Sequence, residues 1–286
     1  MIKFKNNNNN FIIEFDSKKI ENCEIICNTL RRILLTKIRS YSFSSENTSI
    51  QENTSILNND IIKHRLELFP IQSFSENNEE NITSSLYLNI ENNTQENIDV
   101  TSNDFIIKIN NKLNNNIFKS LETPIILCHL RPTQKIQLSS ELSSGIAEDH
   151  DKYSVCHSYF KESNNIFSLI IEPNGIYDGK YLFKKSIHIY LQDLNILKNT
   201  INEHPDSNTN TIKLIIKNNN YTLLYLYISI IQKLDNVKYA ACTLPHLSEN
   251  NIIINIILNK NNTIKDISNK TINNISTLFK SFIKNL

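Results

Sequence analysis

The sequence predicts an α+β protein: two units of plan β-α-β-α packed on each other through their helices, the first interrupted by a β-rich inserted domain. Three observations carry this expectation. Apolar residues alternate over short stretches, as strands require, and recur at helical spacing over longer ones. The order strand, helix, strands, helix occurs twice. Each unit also has more apolar helix face than its small sheet can cover, so the two units are expected to cover each other.

Phe11 to Phe15 (FIIEF) is the first strand candidate, rich in β-branched and aromatic residues. After a polar break at Asp16 to Lys19, Ile26, Leu30, Ile33, Leu34 and Ile38 recur at helical spacing and predict a helix from about Asn22 to Lys37. Arg31 and Arg32 fall on the flank of its apolar face. From Ser40 to about Ser55 the chain is Ser/Thr/Asn-rich with weak alternation. Ile56 to Leu68 reads as a short helix stopped by Pro70. Strands follow at Ser85–Ile90, Phe105–Ile109, Ile125–Leu130 and Lys135–Leu138, between Asn-rich loops.

Ile166 to Ile171 is a buried strand candidate ended by the turn Pro173-Asn174-Gly175. A long amphipathic helix then carries Phe183, Ile187, Tyr190, Leu191, Leu194, Leu197 and Ile201. Asn202 to Asn210 has linker composition. Beyond it Thr211–Lys217 is a strand, and Leu223, Leu226, Tyr227, Ile230, Ile231 and Leu234 mark a helix face. Val237–Thr243 and Ile252–Leu258 are strands, and Ile264 to Leu286 is a terminal helix. The expected division is therefore 1–40 plus 158–203 as a first unit, 41–157 as the insertion, 204–210 as a linker and 211–286 as a second unit.

A chain of 286 residues holds two modest domains or one with an insertion, and its 40% hydrophobic content supports a core without staples. The formal net charge of +1 gives no overall field to steer nucleic acid, and no Lys/Arg run marks a basic patch. The opening MIKFKNNNNN lacks the apolar core of a secretory leader, and no apolar run is long enough to span a bilayer. An intracellular protein with no membrane partner is expected. The five cysteines, at 23, 27, 128, 156 and 242, form neither a CxxC pair nor a secreted-type framework. Cys23 and Cys27 read as small buried hydrophobes. The Asn and Ile excess fits an AT-rich genome.

Glu148, Asp149, His150, Asp151, Cys156 and His157 have the composition of metal ligands, but their spacing matches no structural zinc site. For hydrolytic chemistry, His64, His129, His150 and His157 lie in one region without a nucleophile elbow, and no phosphate-binding glycine loop is present. No independent catalysis and no cofactor are expected.

Three ordered segments resemble the α-like subunits of cellular RNA polymerase. Asn28-Thr29-Leu30-Arg31-Arg32-Ile33-Leu34-Leu35 is similar to that family's first-helix motif. Ile61-Ile62-Lys63-His64-Arg65-Leu66-Glu67-Leu68-Phe69-Pro70-Ile71 resembles a segment of its third-subunit branch. Gly145 to Ser154 resembles the same branch's Gly-Ile-x-x-Glu-His-x-Lys-Trp-Ser, with Tyr153 in place of Trp and Asp149 in place of Glu. From Tyr221 onward the chain is similar to the small eleventh-subunit family. Tyr221-Thr222-Leu223-Leu224 stands where that family has His-Thr-Leu-Gly, and Ala240 to Leu247 fits its Ala-Gly-Tyr-x-x-Pro-His-Pro turn.

The resemblance implies a fused third-type/eleventh-type subunit of a DNA-dependent RNA polymerase, of the kind found in large DNA viruses. It implies a non-catalytic scaffold that binds the two large subunits, with small accessory subunits as further candidates and DNA touched only indirectly. It implies a partner interface at Arg31, Arg32, His64 and Arg65, and packing between the halves at Leu30, Leu34, Ile38, Leu223, Tyr227 and Ile230. Many third-type subunits carry a cysteine-rich zinc loop in the insertion; no cysteine lies between Ser40 and Leu127, so no zinc is predicted. Host cytoplasm or virion is implied for a viral source, and the nucleus otherwise. The alternative reading is an Asn-rich α+β interaction module outside the polymerase.

Overall fold

The structure is a computed structural model. It describes residues 2–7, 10–71, 84–109, 112–113, 118, 124–205, 209–217, 221–244, 251–259 and 263–286, with backbone alone at 112–113, 217 and 222–223. The first elements are β1 (Ile2–Asn7), β2 (Asn10–Asp16), α1 (Cys23–Thr36), β3 (Arg39–Phe43), β4 (Ser49–Asn53) and α2 (Asn59–Glu67). Next come β5 (Ser84–Glu91), β6 (Ile98–Thr101), β7 (Ile106–Ile109), β8 (Lys112–Leu113), β9 (Ile126–Leu130), β10 (Lys135–Ser140) and β11 (Leu142–Ile146). The chain continues through β12 (Cys156–Ser163), β13 (Ile166–Pro173), α3 (Gly179–Glu203), β14 (Thr211–Lys217), α4 (Tyr221–Ile231), β15 (Val237–Thr243), β16 (Asn251–Leu258) and α5 (Ile264–Lys284).

Two compact units result, one made of Met1–Leu34, Ser158–Glu172 and Gly179–Leu286, the other of Leu35–His157 and Pro173–Asp178. The first contains two sheets of matching connectivity. One has the order β1-β2-β13-β12, the other β14-β16-β15. In each, a strand leads to a helix, a two-strand ladder and a second helix, and the last strand of the ladder pairs antiparallel with the leading strand. The alternation of strand side chains sets the inner faces. Phe11, Ile13, Phe15 and Leu169 are buried in one sheet, and Ile212, Leu214, Ile252, Ile254 and Ile256 in the other. The β12–β13 hairpin turns on Asn164 and Asn165, with φ of 50° and 61°. That is the geometry of a type I′ turn, which asparagine tolerates better than other side chains.

The long helices join the two sheets' layers. α3 buries Leu182, Phe183, Ile187, Tyr190, Leu194, Leu197 and Ile201, and α5 buries Ile264, Ile267, Ile272, Ile275, Phe279 and Phe282. Tyr190 and Phe279 pack with ring planes tilted by 34° and centroids 4.6 Å apart, while Asn269 Nδ2 donates to Asn202 Oδ1 at 3.1 Å. As one helix advances the other retreats, so α3 and α5 run antiparallel. Phe15 of β2 meets Phe282 of α5 at 5.6 Å. Each fully buried side chain of this size contributes roughly 1.5–3 kcal/mol by leaving water.

The second unit is β-rich. Its largest sheet has the order β4-β10-β5-β7-β8, beside the pairs β11-β3 and β6-β9. Its core includes Ile62, Leu66, Leu86, Leu127 and Leu138, around a cluster of Phe69, Phe105 and Phe118.

Several expectations shift. Ser40–Ser55, read as weakly alternating, contains most of β3 and all of β4; β3 buries Ser40, Ser42 and Phe43, and β4 turns only Ile50 onto the apolar core, which mutes the apolar signal. α2 begins at Asn59 rather than Ile56, because Asn58 caps it by accepting the Ile61 N–H at 2.9 Å. β1 and β12 were not expected: IKFKNN and CHSYFKES carry few apolar residues and bury little, so neither sustains a strand's apolar alternation.

Candidate functional site

α1 follows Asn22, which has φ of 57°. The helix buries Cys23, Ile26, Cys27, Leu30, Ile33 and Leu34. Arg31 and Arg32 fall beside that stripe, Arg31 half-buried and Arg32 exposed. The Arg31 guanidinium donates to Asn28 Oδ1 through Nη2 at 2.9 Å and Nε at 3.3 Å, one helical turn earlier. A guanidinium carries five N–H donors, so this contact orients the fork and leaves further donors for carboxylates or carbonyls.

In the β-rich unit His64 and Arg65 lie on the exposed side of α2. Arg65 Nη1 donates to the Leu127 carbonyl at 2.8 Å, tying α2 to β9. The neighbouring Glu67 points inward and pairs with Lys152 at 3.0 Å, the two side chains only 8% and 9% exposed. Glu67 also accepts the Ser45 N–H at 2.7 Å, and its carbonyl accepts the Ser42 hydroxyl at 2.6 Å. Burial pushes the Glu67 carboxyl up, but the Ser45 N–H and Lys152 together outweigh it and hold the group below the ordinary carboxylate value.

Next to Lys152, the Tyr153 hydroxyl bonds Ser143 Oγ at 2.8 Å and its carbonyl accepts from Ser40 Oγ at 2.7 Å. A Cβ on Gly145 would lie 2.4 Å from the Tyr153 ring, so only glycine fits there. The segments around Glu67 and Lys152, both named for their family resemblance, thus lock to each other. Sequence reasoning passed over Glu67 and Lys152 themselves, because each stands among other charged residues, Lys63 to Arg65 and Glu148 to Asp151, and nothing local marks the two as partners.

The residues expected to join the halves behave unequally. Leu30, Leu34 and Tyr227 are fully buried, and the Tyr227 hydroxyl donates to Ser268 Oγ at 2.7 Å, linking α4 to α5. Ile230 is half-buried, and Leu224, Leu226, Ile228 and Ile231 complete the buried side of α4. Leu234 lies beyond the helix end and is exposed. Ile38 is buried but follows the end of α1, in the β-rich unit. The side chain of Leu223, the turn residues Pro245, His246 and Leu247, and linker residues 206–208 lie outside the described residues. Contact between the halves is carried by α3 against α5, by Phe15 against Phe282, and by Lys233 Nζ donating to Asn22 Oδ1 at 2.6 Å.

Cys23 and Cys27 are buried, and burial raises both thiols above their usual value. Burial likewise pushes Cys128 up to about 11 and Cys156 to about 12, against the thiolate form that binds metal. Glu148 pairs with Lys37, and His150 Nδ1 accepts the Lys152 N–H at 3.1 Å. Among the described residues no three His, Cys, Asp or Glu side chains gather as a metal site, and no helix is long and apolar enough to cross a membrane.

A mixed α+β scaffold, with two like-connected sheets joined along a helical seam, is the class of protein this geometry defines. Within it, residues 211–285 match the family model described as the RNA polymerase Rpb3/Rpb11 dimerisation domain. The chain is 27% identical over 207 residues to a protein of Acanthamoeba polyphaga mimivirus whose name assigns it as a DNA-directed RNA polymerase subunit, R470; the match covers 70% of this chain and 57% of that one. It is 25% identical over 179 residues to the DNA-directed RNA polymerase subunit Rpo3 of Methanocaldococcus jannaschii, covering 60% of this chain and 85% of that one. A conjugation stage-specific protein of Tetrahymena thermophila is 30% identical over 186 residues, 56% of either chain. The chain thus spans little more than half the length of the Tetrahymena and mimivirus relatives it matches. The likeness to α-like RNA polymerase subunits, read first from ordered motifs, is found again here, with a viral protein among the relatives.

Proposed function

We propose that this chain is a non-catalytic assembly subunit of a DNA-directed RNA polymerase, joining third-type and eleventh-type halves in one polypeptide. The observation that carries the reading is the repetition of one strand-helix-ladder-helix plan with the same sheet connectivity, closed by the α3–α5 seam. Covalent linkage makes the association of the halves intramolecular, with an effective concentration around the millimolar range for a short linker. It also sets their stoichiometry at one to one.

On this reading the exposed side of α1, with Arg31 and Arg32, receives a large catalytic subunit. His64 and Arg65 on the inserted domain offer a second contact, and small accessory subunits are further candidates. DNA is reached only through the complex, and no zinc or other cofactor is needed. Nucleotidyl transfer belongs to carboxylate-held metals on the large subunits. The setting is intracellular, in host cytoplasm or virion for a viral source.

The test is to tag the intact chain in its native setting and identify what co-purifies. Large polymerase subunits are expected in stoichiometric amounts. Arg31→Ala combined with Arg32→Ala should leave the fold intact and weaken that association by about 2–5 kcal/mol. Unchanged recovery of the large subunits with the double variant would remove the two arginines from the interface, and their absence from the wild-type preparation would remove the polymerase reading.

A further inference from the structure

The two sheets of the first unit differ at one edge. In the first, β1 lies antiparallel along β2, pairing Ile2 with Phe15 and Asn6 with Phe11. In the second, β14 holds the position of β2, yet among the described residues nothing pairs with its outer edge. We propose that this open edge of β14 receives an extended, acidic segment of a partner protein as an added antiparallel strand. The proposal goes beyond the polymerase reading and does not depend on it.

The backbone phase of β14 is readable. Leu258 donates its N–H to the Asn210 carbonyl at 2.7 Å, so even-numbered residues hydrogen-bond to β16. Odd-numbered residues therefore turn their N–H and C=O outward. Thr211 confirms the phase: its N–H and carbonyl are both bonded by the Thr209 hydroxyl, at 3.3 and 2.7 Å, on the side away from β16. Lys213, Ile215 and Lys217 then present their backbone groups along the open edge, a template for strand addition.

Side chains indicate the occupant's chemistry. Lys213 and Ile215 point to the solvent face, and Ile215 is 60% exposed beside the open edge. Next to it a shallow hollow of about 400 Å³ is lined by Lys213, Tyr239, Asn255 and Ile257 among others. Among the described residues Lys213 forms no ion pair, whereas the first sheet neutralises its outward charge across the same edge, Lys5 of β1 with Glu14 of β2. An incoming strand that reproduces this arrangement places an acidic residue opposite Lys213 and an apolar residue opposite Ile215. A second copy of the chain fits poorly. Full antiparallel overlap of two β14 edges brings the Lys213 side chains of the two copies to diagonal spacing on one face, and like charges across strands are destabilising.

The intact chain is tested with the capped peptide Glu-Val-Ile-Phe-Glu-Val-Thr and its counterpart bearing Lys in place of both Glu. The acidic peptide should bind at least tenfold more tightly and slow hydrogen exchange at the Lys213 and Ile215 amides. Ile215→Pro removes an outward N–H, a substitution that edge strands accept on the solvent side, and should abolish binding. Lys213→Glu, which leaves the backbone alone, should lower the preference for the acidic peptide at least tenfold. Equal binding of the two peptides, no binding, unchanged exchange at those amides, or dimerisation of the chain through this edge would each overturn the proposal.

Discussion

The first-half sheet and the second-half sheet share a connectivity and differ in what they show to the outside. On the first, Glu14 pairs with Lys5, and Glu172 accepts from Asn10 and from the Tyr159 hydroxyl, both at 3.1 Å. On the second, Ile215, Tyr239 and Ile257 are 60%, 50% and 37% exposed, with no ion pair among the described residues. Connectivity follows from the inward alternation, which both sheets need in order to exclude water. The outward positions are released from that requirement, so charged and polar side chains occupy them on one sheet and exposed apolar ones on the other.

The comparison assumes that the halves share one core, and the seam is where it breaks most readily. Phe279→Ala removes a fully buried ring that touches both Tyr190 and Phe282. It should cost about 3–5 kcal/mol in urea unfolding of the intact chain. A loss below 1 kcal/mol on that scale would mean that the halves are not held together here.

The inserted β-rich unit serves as the contrast, because its nearly buried ion pair makes it sensitive to acid. With the Glu67 carboxyl held below its unfolded value near 4.3, its contribution is complete above that value and is lost as pH falls through the lowered one. Glu67→Gln should destabilise this unit at neutral pH by about 2–3 kcal/mol and flatten its acid dependence. Hydrogen-exchange protection at pH 7 and pH 3, read separately for β10 and for β16, distinguishes the two regions. Equal acid sensitivity in both would dissolve the contrast.

Removing the staple at β1 should make the first sheet resemble the second. Phe4 packs on Phe11 and Phe183 with centroids 5.9 Å from each. Phe4→Ala should cost about 2 kcal/mol and speed exchange along the outer edge of β2. Unaltered exchange there would show that β1 is not what separates the two edges.

The smallest effect concerns one buried tyrosine from each half. Tyr227 has its hydroxyl partner in Ser268, whereas the Tyr190 hydroxyl is buried without one among the described residues. Tyr227→Phe should cost about 1 kcal/mol, while Tyr190→Phe should be neutral or stabilising, since it deletes an unsatisfied group. Thermal melts of the two variants, compared with the parent, read the difference directly.

Much of the fold was legible because strands and helices write their periods into the chain. Thr211–Lys217 and Val237–Thr243 are strands with the expected bounds, and α1, α3 and α5 fall where their apolar spacing indicates. The candidate site was less legible. Arg31 and Arg32 were found beside an apolar stripe, but Arg31's bond to Asn28 and Arg65's reach to Leu127 are matters of rotamer and of a partner 62 residues away. Glu67 and Lys152 were invisible as a pair for the same reason, since nothing local to either states that they meet.

By itself, then, the amino-acid order determined which residues turn inward, the repeated strand-helix plan and the likeness to polymerase α-like subunits. These depend on periods of two and 3.6 residues that each segment carries alone. Only the tertiary structure decided that α3 and α5 form the seam between the halves, that Gly145 makes room for Tyr153, and that β1 closes one sheet while among the described residues β14 is left open. Each of those is settled by which distant surfaces come into contact, and burial, close approach and edge pairing exist only once the chain has folded back on itself.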